Sequence, residues 1–343
     1  MGRRTAYLHI GLAHAGGDFL AAALTEHADA LHHRGVRVPA TTAEQMHRAA
    51  IEIRRDHRAT GLPRREVEGT WAGICRQARK GKRDVLLSGE HLAACTPPQI
   101  DLLLDTLPGF DVQLVVTASD PGSQVLASWA AAVDAGKTVS FARYARRVMD
   151  AAGEHDQAQR FWAGQDLAAV LARWTTAIGS PDRVHVVVTD READDPRTSV
   201  WAAVGRIVGF DPAELPLGAA PSVRPYVPES VLLATPAHPA ALPAELVAEL
   251  VEVGDGWRKQ LADGGYDVHG DSALLLPAAA APDGMLPDGV PLDDRLSTAT
   301  EALANLLVEV TRLREQCRTL EQRNATLERK RKKLKLRLAS AEA

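Results

Sequence analysis

The sequence predicts an α/β domain with a mostly parallel sheet covered by helices on both faces, followed by a linker and a C-terminal coiled-coil helix. Short apolar, β-branched runs alternate with amphipathic segments over residues 1–215. Prolines recur through residues 212–243, which excludes regular helix there. Near the end, leucines recur at every seventh position. With 343 residues, 45% of them hydrophobic, the chain can bury a full core.

Four buried strands are predicted, at residues 7–12, 84–88, 112–117 and 184–188. Helices are expected over the charged region 42–80, from Ser123 onward, and on either side of the fourth strand, with a last helix at residues 244–262. An Ala-, Pro- and Gly-rich stretch at residues 271–294 has the composition of a linker. The predicted division is therefore a domain at 1–270, a linker at 271–294 and a coiled coil at 295–343.

Net charge is −4, so composition carries no global preference for nucleic acid. The three cysteines have neither a disulfide framework nor metal-ligand spacing, which predicts a reducing, cytoplasmic location. No run approaches about 18 consecutive apolar residues, so no transmembrane helix is expected. The apolar run after Arg4 is too short for a signal peptide and contains His9.

The first strand leads into a turn and a helix start with the layout of a phosphate-binding loop. We call residues 11–17 the cradle. Gly16 and Gly17 permit a tight turn, and Asp18 is expected to cap a helix that starts at Phe19. Backbone N–H groups at such a helix start point toward an anion.

Residues 296–338 predict a coiled coil, because one helix cannot bury a heptad stripe alone. One seam is Leu306, Leu313, Leu320, Leu327 and Leu334, and the other is Leu296, Leu303, Val310, Cys317, Asn324, Arg331 and Leu338. The leucines of the first seam are the d positions of the heptad, and the second seam is the a positions. Asn324 at an a position favours two parallel helices, so we expect a parallel homodimer. The alternative is that the stripe packs on the globular domain.

The run RKRKKLKLR at residues 329–337 is strongly basic. It could contact a polyanion or an anionic membrane surface, or it could be a solvated helix end. Basic-zipper transcription factors carry their basic region before the leucines, and here it follows them. Sequence-specific DNA binding is therefore not expected.

Five segments, in this order and spacing, resemble the sulfotransferase family of the type found in actinobacteria. They are YLHIGLAHAGG, VLLSGEHL, VVTASDPGSQVLASW, RWTTAIGSPDRVHVVV and GYDVHGDSALLLP. The resemblance implies a three-layer P-loop-type domain. It also implies sulfuryl transfer from 3′-phosphoadenosine 5′-phosphosulfate (PAPS) to a hydroxyl or amine, on a glycan, a lipid-linked sugar or a metabolite.

By this resemblance, the first turn holds the 5′-phosphosulfate. The positions concerned are Ala13, His14, Ala15, Gly16, Gly17 and Asp18. His14 stands where the family has its lysine, and Gly17 and Asp18 stand at its hydroxyl positions. Ser119 takes the place of the arginine that binds the 3′-phosphate, and Ser128 lies one place from the partner serine.

Glu90 follows the second predicted strand, where related enzymes carry a carboxylate or histidine that deprotonates the acceptor. Its neighbour His91 is the alternative base, and Glu90 as a structural carboxylate is the other hypothesis. No metal constellation is expected around the remaining histidines, including His185. Two functions therefore stay open: a divergent sulfotransferase, and a non-catalytic dimeric scaffold or binding protein. A P-loop nucleotide hydrolase is disfavoured because the turn lacks Lys-Ser/Thr.

Overall fold

The computed structural model describes residues 3–150, 155–190, 194–218, 242–278, 289 and 292–341. Among these residues, six parallel strands form one sheet in the order β2-β3-β1-β4-β5-β6. The strands are β1 (Arg4–His9), β2 (Val36–Arg37), β3 (Asp84–Ser88), β4 (Phe110–Ala118), β5 (Val184–Val188) and β6 (Asp267–His269). The predicted α/β class with a parallel sheet is confirmed.

Helices connect the strands and cover the sheet. They are α1 (Gly17–Glu26), α2 (Ala28–His33), α3 (Ala43–Arg54), α4 (Arg64–Val67), α5 (Thr70–Ala78), α6 (Pro97–Asp105), α7 (Pro121–Asp134), α8 (Phe141–Val148), α9 (Asp156–Gln165), α10 (Leu167–Ile178), α11 (Pro196–Val208), α12 (Ala244–Asp263) and α13 (Leu292–Ala341). Short 3-10 helices lie at Asp56–Arg58, Glu90–Ala94, Pro181–Arg183, Pro212–Glu214 and Ser272–Leu275.

The core lies on both faces of the sheet because successive strand side chains point to opposite sides. In β1, Leu8 packs on one face with Trp174 and Trp257 of the helices α10 and α12. On the other face, Leu86 of β3 belongs to a cluster with Trp201 of α11. Each fully buried large side chain contributes roughly 1.5–3 kcal/mol relative to exposure, so the sheet is stabilised from both layers.

Two strand predictions match in their bounds and two shift. Asp84–Ser88 and Val184–Val188 form strands as expected. The first strand ends at His9 rather than at residue 12, although Ile10 and Leu12 still donate backbone hydrogen bonds to β4. The edge strands β2 and β6 were not predicted, because two or three residues are too few for a hydrophobic period.

The capping role predicted for Asp18 is wrong. Helix α1 begins at Gly17, its N-cap is Gly16 in the left-handed conformation, and no side chain caps it. Asp18 is therefore the second residue of the helix. A left-handed glycine turns the chain tightly enough for the helix to start two residues earlier than predicted.

The globular part extends beyond residue 270. The 3-10 helix Ser272–Leu275 lies within the predicted linker, yet Leu275 is fully buried in the core. Its carbonyl oxygen approaches Gly254 of α12 so closely that no Cβ fits there. Residues 219–241 of the Pro-rich stretch, and residues 279–288, 290 and 291 of the predicted linker, lie outside the described residues.

The C-terminal segment forms one continuous helix, α13, as predicted. Where their side chains are described, the seam leucines Leu306, Leu313, Leu320 and Leu327 are exposed by 37%, 46%, 57% and 61%. The stripe is thus not covered by the globular domain at these positions, and the coiled coil itself stays a prediction. Among the described parts, no helix is long and apolar enough to cross a membrane.

A buried histidine links the three central strands at their carboxyl ends. His9, on β1, is fully buried. Its Nδ1 lies 2.8 Å from Ser88 Oγ on β3, and its Nε2 lies 3.0 Å from Thr117 Oγ1 on β4. Burial lowers the pKa of His9 to about 3, because a low-dielectric site disfavours the imidazolium. The ring is therefore neutral, with one nitrogen donating and the other accepting.

This predicts a pH-dependent stability. The unfolded chain protonates His9 near pH 6.5 and the folded chain only near pH 3, so stability falls as the pH drops below about 6.5 and His9 contributes no further loss below about 3. Between pH 6.5 and 4.5, protonation of His9 in the unfolded chain should lower the free energy of unfolding by roughly 2–3 kcal/mol. Urea unfolding of the native chain and of His9→Gln at both pH values measures it. Equal losses in the two proteins would contradict this assignment.

Candidate functional site

The candidate site is a cleft at the point where the strand order reverses. From β1 the chain adds β2 and β3 on one side of the sheet and then β4, β5 and β6 on the other. Parallel α/β sheets bind ligands beyond the carboxyl ends of their strands at such a reversal. Here an open cleft of about 410 Å³ lies beside the cradle, between helices α1 and α3 and the end of β3.

The cradle has an unusual backbone. Gly11, His14 and Gly16 have positive φ values of 64°, 64° and 102°. His14 is one of two described non-glycine residues in this region of φ, a conformation that costs a residue with a Cβ roughly 1–2 kcal/mol. Its side chain is exposed and lines the cleft.

Glu90 lies against the cradle. A Cβ added at Gly11 would stand 2.7 Å from Glu90 Cβ and 3.0 Å from its Cα. A Cβ added at Gly17, the first residue of α1, would collide with Glu90 Oε2. Glycine at both positions therefore admits the Glu90 side chain. Its carboxylate lies beside the amino end of α1, where the helix dipole favours negative charge.

The far wall of the cleft comes from α3, which lies within the predicted helical region 42–80 but had no predicted site residue. His47 and Glu44 lie on it, and the His47 ring meets the His91 ring edge to face at 4.8 Å between centroids. Glu44 is paired with Arg48 at 2.7 Å. The structure thus brings Glu90, His91 and His14 together as predicted and adds a third histidine. No sequence signal separated His47 from an ordinary helix-surface residue.

The other predicted cofactor positions have structural contacts or lie elsewhere. Ala15 is buried, and its carbonyl accepts a hydrogen bond from Thr189 at 3.2 Å. Ala13 lies in the turn between β1 and α1 and is partly buried. Ser128 lies in the interior of α7, and its side chain hydrogen-bonds Tyr144 of α8. Ala15 and Ser128 thus each have a hydrogen-bond partner within the fold.

Ser119 follows β4 as the resemblance implies. Its Oγ is buried without a hydrogen-bond partner among the described residues, and its carbonyl accepts from Gln124 Nε2 at 3.0 Å. The adjacent Asp120 caps α7 by accepting from the Ser123 backbone N–H at 2.9 Å. The strand-to-helix turn is well formed there, but it presents no cation to a phosphate.

These residues do not fit a bound phosphosulfate. A phosphate group at the amino end of α1 would meet the Glu90 carboxylate, and like charges at close range repel. Neither the lysine position, His14, nor the arginine position, Ser119, supplies a permanent positive charge. The backbone is shaped for an anion, whereas the side chains around it are not.

Comparisons with protein-family models, with curated proteins and with solved structures give no significant match to this chain. The cleft and its residues are therefore the observations that bear on function.

The cradle contact predicts a difference between two glycines. Both glycines have a left-handed backbone. A Cβ added at Gly11 would meet Glu90, whereas Gly35 has a φ of 91° and nothing lies within 4 Å of a Cβ added there. Gly35→Ala should cost only the backbone strain, about 1–2 kcal/mol. Gly11→Ala should cost at least about 1 kcal/mol more. Denaturant unfolding of both variants tests this, and equal costs would argue against a tight Gly11–Glu90 contact.

Proposed function

We propose that the chain is a sulfotransferase-like protein that has lost sulfuryl transfer and acts as a dimeric binding module. The observation that carries the proposal is the Glu90 side chain against Gly11 and Gly17. A carboxylate of the protein itself supplies the negative charge that the amino end of α1 favours. A phosphate of PAPS would have to displace it.

The missing cations support the same conclusion. A charge-assisted hydrogen bond is worth roughly 1.5–3 kcal/mol. Loss of two such bonds, at His14 and Ser119, weakens nucleotide binding by about two to four decades. The open cleft remains, lined by imidazoles, carboxylates and the apolar Met46. Such a lining suits a neutral or cationic polar ligand better than a phosphate.

A working sulfotransferase is the second candidate, and one observation favours it. Glu90 and His91 line a cleft at the strand reversal, where a general base must reach an acceptor hydroxyl. In that case Glu90 is the catalytic base and His14 replaces the lysine. The first proposal requires the opposite role, in which Glu90 blocks the donor nucleotide.

Nucleotide titration separates the two. Calorimetry with 3′-phosphoadenosine 5′-phosphate should show very weak binding to the native chain. Glu90→Gln removes the repelling charge and should tighten binding at least about tenfold, whereas the control Glu44→Gln removes a carboxylate that Arg48 already neutralises and should not. Adding His14→Lys and Ser119→Arg to Glu90→Gln should tighten it further.

Micromolar nucleotide binding by the native chain, with turnover lost in Glu90→Gln, would overturn the non-catalytic proposal and support the enzyme. If turnover survives in Glu90→Gln and is lost in His91→Ala, the base is His91.

The dimeric part of the proposal rests on the exposed seam of α13. A helix with leucines exposed at heptad spacing needs a partner helix to bury them. We propose a parallel homodimer through residues 296–338, with Asn324 paired across the interface. Contact of the basic run 329–337 with a polyanion or an anionic membrane remains a proposal that this arrangement permits.

Light scattering tests the dimer. The full chain should have twice the monomer mass, and a chain ending after Pro277 should be a folded monomer, because the core closes by Leu275. Leu313→Lys with Leu320→Lys should also give monomers. Leu102→Lys is the control, since Leu102 of α6 is equally exposed, at 51%, but lies outside the stripe. A monomeric native chain would exclude the zipper.

A further inference from the structure

Two histidines and an aspartate meet at the edge of the sheet, away from the cleft. His185 is the second residue of β5, and Asp267 and His269 are the ends of β6. The strand register places His185 opposite Asp267, and His269 follows two residues later on the same face. The ligand atoms of the three side chains all lie within 4.8 Å of one another.

The hydrogen bonds around the cluster fix the state of the His185 ring. Gln113 Nε2 donates to Asp111 Oδ2 at 3.3 Å, so its amide oxygen is the atom that faces His185 Nε2, at 3.1 Å. A carbonyl oxygen only accepts, so Nε2 carries a proton and donates it.

The other nitrogen, His185 Nδ1, lies 2.7 Å from Asp267 Oδ2. With Nε2 donating to Gln113, Nδ1 is the ring nitrogen available to bind a cation beside the carboxylate. His269 Nε2 reaches the same Oδ2 at 2.8 Å.

The geometry points to a binding site for a divalent transition-metal ion such as zinc, with His185, Asp267 and His269 as its ligands. Two imidazoles and one carboxylate are a common ligand set for such ions. The hydrogen bond from His185 Nε2 to Gln113 is the kind of outer contact that orients a metal-binding ring.

Binding a zinc ion requires movements of these side chains. Ligand atoms around a tetrahedral zinc lie roughly 3.3 Å apart, given bonds of about 2.0–2.2 Å. The present spacings of 2.7 and 2.8 Å to the Asp267 carboxylate are shorter, whereas the two ring nitrogens lie within 4.8 Å of each other. The carboxylate must therefore withdraw by about half an ångström, and the two rings must approach each other by up to about 1.5 Å. Asp267 is half-exposed, at 49%, while both histidines are only 14% exposed. The carboxylate is therefore free to adjust, and a water can take the fourth position.

The ion would join β6 to β5. β6 has three residues and pairs only with β5 in the sheet, so a metal bridge across this pair adds a link that the short ladder lacks. The turn that follows β6 packs closely on β5, since a Cβ on Gly270 would stand 2.7 Å from the Val188 carbonyl oxygen. Bound metal should accordingly raise the thermal stability of the domain.

The test is metal titration of the chelator-treated full chain with Zn²⁺ against a competing chromophoric chelator, and with Co²⁺ as a spectroscopic probe. We expect one ion per chain, visible absorption of four-coordinate cobalt, and a melting temperature that rises with Zn²⁺. His269→Ala should weaken Zn²⁺ binding at least 100-fold and Asp267→Asn at least tenfold, in proteins shown to be folded by circular dichroism. The control His33→Ala changes an exposed histidine of α2 and should bind like the native chain.

Absence of binding at micromolar Zn²⁺ would overturn the proposal. Equal binding by His269→Ala and the native chain would overturn it as well, because the ion would then sit on other ligands. Neither result depends on whether the cleft binds a nucleotide.

Discussion

The fully buried imidazole of His9 connects the three central strands of the sheet beneath the cleft. It joins Ser88 at the end of β3 to Thr117 near the end of β4, through a ring on β1. Backbone ladders already join neighbouring parallel strands, and this ring adds side-chain hydrogen bonds across both pairs. The side-chain link fixes their ends relative to one another, and both the cradle and Glu90 begin within two residues of these ends. Its neutrality matters, because an imidazolium in this dry position would lack a counter-charge.

Charge at the amino end of α1 governs what the cleft can bind. A helix start preceded by glycine turns attracts an anion, and in this chain Glu90 lies there. Its placement depends on Gly11 and Gly17, where any Cβ would exclude it. The absence of lysine and arginine from the cradle and from the β4 turn is consistent with this arrangement, since a site with its own carboxylate gains nothing by attracting phosphate. The backbone of this turn thus favours an anion while its side chains do not, so the fold alone does not indicate the ligand.

Much of the fold was predictable because long apolar runs dominate it. The runs at Asp84–Ser88 and Val184–Val188 became strands within their predicted bounds, and Glu90 does lie at the cleft. Other features depend on contacts between distant segments. The Glu90–Gly17 contact needs the end of β3 beside α1, and the cluster of His185 with His269 needs the register of a three-residue edge strand. Local periodicity carries no information about either. The start of α1 was misplaced for a different reason, since Asp18 is a good cap by type but Gly16 holds the required backbone conformation.

In the proposed dimer, a binding cleft without transfer chemistry and a C-terminal coiled coil would complement each other. A single cleft of about 410 Å³ without strong charge pairing binds modestly. Two clefts on a parallel coiled coil bind a target with repeated groups much more tightly, because the second contact is intramolecular. That gain needs no change within either cleft. It does need both clefts to reach the same target at once. In such a dimer, binding to a repeated target would depend on the seam leucines and would not require cations in the cradle.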